Sequence, residues 1–295
     1  MMLYTIVFFI IAVASFIFAM LGLGGGMVYV PVLNWAGFDM VKVAIPLGLL
    51  LNGLNTLLVL IPFARKKLVD WKGGMVMAVT ALIAAPLGAM TSDQVPVQTL
   101  KILFAIMVVA AAVRMIWSAK KAEPENMMPL GKRSLIGFFV GAFAGFTGGM
   151  LGLGGGFIIA PILMMMGYKT KEAAATTAFV VTFSSFSGYL GHMVSGETNW
   201  LLTGIVVIAV IIGSQLGGRY MTQKAKSKQV KIIYAIVLLL IAAKMTYGAL
   251  TYQPKQKENR PPANSGDETS MLSPSAANNI SLNHSTVSAD IFKMQ

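Results

Sequence analysis

The residues in this chain with the clearest capacity for chemistry are glycines. Leu21-Gly22-Leu23-Gly24-Gly25-Gly26 recurs letter for letter as Leu151-Gly152-Leu153-Gly154-Gly155-Gly156, each copy preceded by methionine (Met20, Met150) and followed by proline (Pro31, Pro161). Glycine disfavours helix by about 1 kcal/mol relative to alanine, so each cluster predicts a break. Both clusters lie inside long apolar runs, Leu3 to Gly37 and Leu135 to Gly167. A break there frees N–H and C=O groups that lipid cannot satisfy, and it persists only against protein or a water-lined cavity. The half-helix that restarts after the break points its first N–H groups, and the positive end of its dipole, at the middle of the membrane. Such a terminus binds anions without any charged side chain. Gly24, Gly25, Gly26, Gly154, Gly155 and Gly156 are therefore the first candidate binding residues. Close packing of small residues would explain either copy singly; two identical copies in corresponding places favour a site.

The spans after the clusters supply polar side chains. In the second half these are Thr176, Thr177, Thr182, Ser184, Ser185 and Ser187; in the first they are Asn52, Asn55 and Thr56. The halves align at a shift of about 130 residues, the mark of an internal duplication. This shift puts Asn52 on Thr182 and Asn55 on Ser185, and these four join the candidate site. Hydroxyl and amide donors at that depth could wrap the oxygens of a sulfonate or carboxylate, or simply bond neighbouring helices. Arg114 and Lys244 are aligned cations near span ends, where snorkelling to the interface is the plainer reading. His192 stands alone in the membrane region, and His284 falls in the tail. Asp39, Asp70, Asp93, Glu172 and Glu197 all lie at span ends or in loops. No buried acid is available to couple transport to protons or sodium.

The elements that must position these residues follow from composition. The 295 residues are 56% hydrophobic and 12% charged, about half the charged fraction of a soluble protein. Apolar runs of about 20 residues match a hydrocarbon core of roughly 30 Å. The chain reads as an all-α polytopic membrane protein. Spans are expected at about Val43 to Ala64, Gly73 to Ser92, Val97 to Ala119, Ala173 to Ser195, Trp200 to Gly218 and Val230 to Tyr252. Four segments result: a first membrane repeat over 1–119, a cytoplasmic linker over 120–134, a second membrane repeat over 135–252, and a polar tail over 253–295. The tail cannot bury enough apolar surface to offset its ordering entropy and is expected to be disordered. Cysteine is absent, which removes disulfides and thiolate chemistry. With no paired acids either, the membrane region lacks the parts of an active site; no cofactor or metal is expected. The net charge of +12 belongs to short loops between spans and indicates orientation, not nucleic-acid binding.

Basic residues concentrate in Arg65 to Lys72, Lys120 to Arg133 and Arg219 to Lys231, which places these loops in the cytoplasm. The second long run must then begin and end inside, as a hairpin bent at Gly152 to Gly156. Each arm is expected to have about 16 residues, or about 24 Å of helix. The first half, with its hairpin ends outside, is inverted relative to the second. The predicted fold is two inverted repeats, each a glycine-broken, re-entrant-like hairpin plus three transmembrane helices, a transporter architecture.

The doubled LGLGGG with Pro31 and Pro161, Val69-Asp70-Trp71, and Pro86-Leu87-Gly88-Ala89 with its counterpart Ile212-Gly213-Ser214 together resemble the sulfite exporter TauE/SafE family. The resemblance covers about residues 3 to 252, all of the predicted spans. It implies a permease of a prokaryotic inner membrane for small anions such as sulfite, thiosulfate, sulfonates and related organic acids. Ile45-Pro46-Leu47-Gly48 departs from the small, hydroxyl-rich stretch common in the family. An anion channel and a membrane anchor or assembly protein are the competing readings. Partners are the substrate and the bilayer; the sequence leaves oligomeric state, direction and coupling open.

Overall fold

The computed structural model describes residues 2–92, 94–100, 126–193 and 200–223, with scattered positions in 102–113 and 232–243. Asp93, Arg114, Glu197, Lys244, much of the spans expected at Val97 to Ala119 and Val230 to Tyr252, and the tail with His284 lie outside the described residues. Every regular element among those described is helical.

The first apolar run forms α1 (Met2–Leu21) and α2 (Gly26–Trp35), and the second forms α5 (Leu130–Leu151) and α6 (Gly156–Met165). Both glycine clusters therefore break helix where expected. The arms are unequal, however: 20 and 10 residues in the first run, 22 and 10 in the second. The expectation of matched arms fails because α5 continues outward past Arg133 and Lys132 to Leu130, while α6 stops before Gly167. A ten-residue helix is about 15 Å long, half a membrane. The ends of the second run do meet on one side. Met128 N–H donates to Met166 O at 2.9 Å, and Arg133 Nη1 donates to the Tyr168 hydroxyl at 2.7 Å. The run is a hairpin of one full arm and one half arm.

A single π-helical turn (Met40–Ala44) runs into α3 (Ile45–Arg65). Asp39 starts it, accepting from Val41 N and Lys42 N at 2.9 and 2.7 Å. Next come α4 (Trp71–Ser92), then α7 (Thr170–His192) and α8 (Trp200–Gln223) after the second hairpin. Six helices among the described residues are long and apolar enough to cross a membrane. The protein is an all-α polytopic membrane protein.

Small residues decide which helices approach. A Cβ on Gly141, Gly145 or Gly149 of α5 would strike the backbone of Met77, Ala81 or Ala85 of α4. A Cβ on Gly213 or Gly217 of α8 would likewise strike the carbonyls of Ala12 and Phe16 of α1. Four-residue spacing places each glycine row on one helix face, which lets backbones touch where apolar burial supplies no force between helices. The first helix of each half thus packs on the fourth of the other, α5 on α4 and α1 on α8. At the centre α3 packs on α7, and their bonds define direction. Asn52 meets Ser185 and Thr56 meets Thr182, so one numbering rises as the other falls, and the two helices are antiparallel. Large apolar side chains such as Ile83, Phe139, Leu201 and Leu216 are exposed on the outer helices, as a surface against lipid requires.

Candidate functional site

The two breaks lie against each other between α3 and α7. A Cβ on Gly26 would fall on the Gly152 carbonyl, 2.9 Å from Leu153 Cα. Reciprocally, a Cβ on Gly156 would lie 2.8 Å from Leu23 O. The chain turns through left-handed backbone at Gly22, Gly24, Gly152, Gly154 and Gly155, with φ of 63°, 78°, 78°, 66° and 81°. Only glycine adopts that conformation routinely. All twelve residues of the two clusters are buried.

The break ahead of α2 has a resident acceptor. Gly25 N–H and Gly26 N–H donate to Asn52 Oδ1 at 2.6 and 2.9 Å. Asn52 is fully buried, and its Nδ2 donates to Ser185 Oγ at 2.8 Å and to Leu153 O at 3.3 Å. One side chain therefore joins the first break, the second break and α7. One turn on, Asn55 Nδ2 donates to the Tyr29 hydroxyl at 2.7 Å and reaches Ser15 O and Gly24 O at 3.4 Å. The Tyr29 and Ser15 hydroxyls are 2.7 Å apart. Asn55 Oδ1 is buried and has no partner among the described residues.

The break ahead of α6 differs. Ser184 donates to Gly154 O at 2.7 Å, leaving the N–H side untouched. Among the described residues, no acceptor reaches the N–H of Gly155, Gly156 or Phe157. Thr177, fully buried on α7, also has a hydroxyl without a partner.

Of the ten candidates from the sequence, nine adjoin the breaks: the six glycines, Asn52, Asn55 and Ser185. Thr182 sits one turn away, its hydroxyl 3.0 Å from Thr56 Oγ1 and 2.7 Å from Ala178 O. Tyr29 and Ser15 were missed. Tyr29 lies four residues after Gly25, on the same helix face, and that spacing was the available signal. His192 is buried and within 3.2 Å of Gly149 O.

A second polar cluster closes one end of the bundle. Asp70, just ahead of α4, pairs with Arg133 of α5 and accepts from the Tyr168 hydroxyl at 2.8 Å. It also accepts from Gly73 N–H at 2.9 Å, while its own N–H donates to Thr176 at 3.1 Å. Burial pushes the Asp70 carboxyl up, but Gly73, Tyr168 and Arg133 together hold it below the ordinary carboxylate value. Burial and the Asp70 charge push the Tyr168 phenol up. Among the described residues, no group of three or more His, Cys, Asp or Glu is placed to hold a metal.

The profile of the sulfite exporter TauE/SafE family matches residues 7–245. The chain belongs to this family. It is 28% identical over 262 residues to a probable membrane transporter protein, YunE, of Bacillus subtilis, covering 80% of this chain and 94% of that one. A probable membrane transporter protein of Methanocaldococcus jannaschii is 26% identical over 248 residues, with 79% and 90% coverage. Sulfite exporter TauE/SafE family protein 2 of Arabidopsis thaliana is 31% identical over 112 residues, 36% of this chain and 24% of that one. No solved structure matches significantly. As a TauE/SafE protein the chain is a multi-pass membrane transporter for a small molecule, and not an enzyme.

Proposed function

We propose that this transporter carries small anions, sulfur oxyanions and sulfonates or organic acids, bound where the N-termini of α2 and α6 meet. Gly24, Gly25, Gly26, Gly154, Gly155 and Gly156 supply backbone, and Asn52, Asn55, Thr182 and Ser185 supply side chains. The observation that carries this reading is Asn52 Oδ1, an acceptor oxygen already bound by two amide N–H groups at a buried helix start. A sulfonate or carboxylate oxygen makes the same demand with more charge, and each half-helix offers roughly half a positive charge to meet it.

In this proposal 1–119 and 135–252 are inverted repeats about an axis in the membrane plane. The antiparallel run of α3 and α7 and the exchanged packing of α1 on α8 and α5 on α4 support it. The site then lies on the axis, where a carrier of this architecture alternates between sides. The membrane is the inner membrane of a prokaryote, with Arg65 to Lys72 and Lys120 to Arg133 on the cytoplasmic side.

Counterflow in proteoliposomes tests the proposal with sulfite, thiosulfate, methanesulfonate, sulfate and acetate. Saturable exchange of at least one anion is expected. Asn52→Ala and Ser185→Ala should each lower the rate roughly tenfold, the effect of losing one hydrogen bond to a charged ligand. Full-rate exchange by both variants, or no exchange of any of these anions by the parent protein, would reject it.

A further inference from the structure

The half-arms α2 and α6 are rods of ten residues each. A glycine with positive φ flanks both ends of each rod: Gly24 and Gly37 around α2, Gly155 and Gly167 around α6, with φ of 78°, 93°, 81° and 95°. Such positions absorb backbone rotation at little cost, which is what a hinge requires. The outer elbows differ. At the elbow of α2, a Cβ on Gly37 would meet no described atom within 4 Å, whereas a Cβ on Gly167 would strike the backbone of Asn126 and Met127. Beside Gly167, the Met166 carbonyl accepts from Met128 N–H, and the Tyr168 hydroxyl bonds both Arg133 and Asp70. Gly73 leaves room for this clasp, since a Cβ there would fall among Asp70, Tyr168 and Arg133. The Asp70 and Arg133 side chains are 25% and 13% exposed, so water can take over their bonds when they part. A narrow cleft runs alongside α6. Its walls include Leu21 and Leu23 of the first break, Ala160 and Met164 of α6, and Thr170 and Ala174 of α7. It leads from the breaks to the elbow that Tyr168 fastens, two residues before Thr170.

We infer that α6 is a gate and that Asp70, Arg133 and Tyr168 are its latch. Latched, the cleft is narrow and walled mainly by apolar side chains, which a hydrated solute does not cross. Unlatched, α6 swings on Gly155 and Gly167, and the cleft widens into a passage between the breaks and the end of the bundle that carries Asp70. The bonds that hold α6 in place join three elements: the segment ahead of α4, the start of α5 and the elbow between α6 and α7. Parting them therefore frees the elbow without disturbing the glycine rows that pack α5 on α4. The inference rests on the chain being a transporter and makes no use of the ligand's charge.

The test uses a reporter thiol, since the chain has no cysteine of its own. Ala174→Cys places one at a buried position on the cleft. The full chain is purified in detergent, and its rate of modification by a water-soluble maleimide is measured without ligand. A second reporter, Ala209→Cys, is buried on α8, which does not line the cleft. Arg133→Gln should speed modification of the Ala174→Cys protein roughly fivefold or more, the shift in open population that loss of one partly solvated pair allows. The Ala209→Cys rate should not change. Tyr168→Phe removes only the hydroxyl and should give a smaller rise at the same reporter; it carries the test if Arg133→Gln does not fold. An unchanged Ala174→Cys rate in these variants overturns the inference. Equal rises at both reporters overturn it as well, because the bundle then loosens as a whole. The assay contains no anion, so its failure leaves the anion reading of the site standing, and failed counterflow leaves the gate standing.

Discussion

Gly25 has a φ of −158° where Gly155, at the same place in the second copy, has a φ of 81°. The two letters are identical, so the cause lies in what faces them. Across from Gly25 stands Asn52, whose amide reaches the N–H groups of α2 and turns them toward Oδ1. The aligned position on α7 is Thr182. Its hydroxyl is shorter and bonds back to the Ala178 carbonyl of its own helix, the usual behaviour of threonine within a helix. The glycines permit a break; the third helix of each half determines what the break presents. The same six letters thus begin one helix whose first N–H groups the protein closes and one whose first N–H groups meet no acceptor among the described residues.

The largest effect should come from making the first break resemble the second. Asn52→Leu strands the Gly25 and Gly26 N–H groups in a buried site and deprives Ser185 and Leu153 O of their donor. Each unmet buried donor costs about 1–3 kcal/mol, so stability should fall by about 3 kcal/mol or more. A matched thermal or denaturant measurement checks this. A drop below about 1 kcal/mol, the scale of an ordinary cap, would mean that water substitutes for Asn52 and that the first break is not closed.

Much of this arrangement is legible in the sequence. The glycine clusters place both breaks to the residue, and the alignment of Asn52 with Thr182 and Asn55 with Ser185 marks the helices that face them. Arm lengths were not legible, because Leu130 to Ser134 looked too polar for a span yet extends α5 at its interfacial end. The asymmetry was not legible either. It depends on side-chain reach: Asn52 bridges to Ser185, aligned with Asn55 and not with itself, and alignment arithmetic cannot show that crossing. Thr177 looked like one of several hydroxyls on its helix, and only the lack of a bonding partner separates it from Thr176, which accepts from Asp70 N–H.

The converse exchange is sharper for function. Thr182→Asn places an asparagine where the 130-residue shift aligns it with Asn52. If reach alone separates the two breaks, its carbonyl caps the N–H groups of α6. Stability should then rise by about 1 kcal/mol, the worth of a helix cap. Anion affinity should drop at least tenfold, because the ligand's donors are already taken. A melting curve and an anion titration on the same sample read both quantities. A variant with normal affinity and raised stability would show that the anion does not use the N–H groups of α6.

The smallest effect concerns a second difference between the halves, at the end closed by Asp70, Arg133 and Tyr168. The 130-residue alignment puts Leu3 on Arg133, Phe38 on Tyr168 and Pro46 on Thr176, so the corresponding positions of the first half offer neither the cation nor the two hydroxyls. The end at Asp70 is fastened by a carboxylate bonded to Arg133 and Tyr168. Asp70→Asn should cost about 1 kcal/mol at neutral pH, since the site is partly solvated and such pairs are weak. The pH dependence identifies the cause. The carboxyl of Asp70 is held below its ordinary value in the folded protein, so its contribution is complete above the unfolded carboxylate pKa of about 4 and is lost as pH falls through the lower folded value. The gap in melting temperature between parent and Asp70→Asn should therefore be constant from neutral pH down to about pH 4 and shrink below it. A gap that persists unchanged in acid would show that Asp70 acts through its neutral hydrogen bonds to Gly73 and Tyr168. The two ends of the molecule would then differ in shape alone, and acid would not favour opening either one.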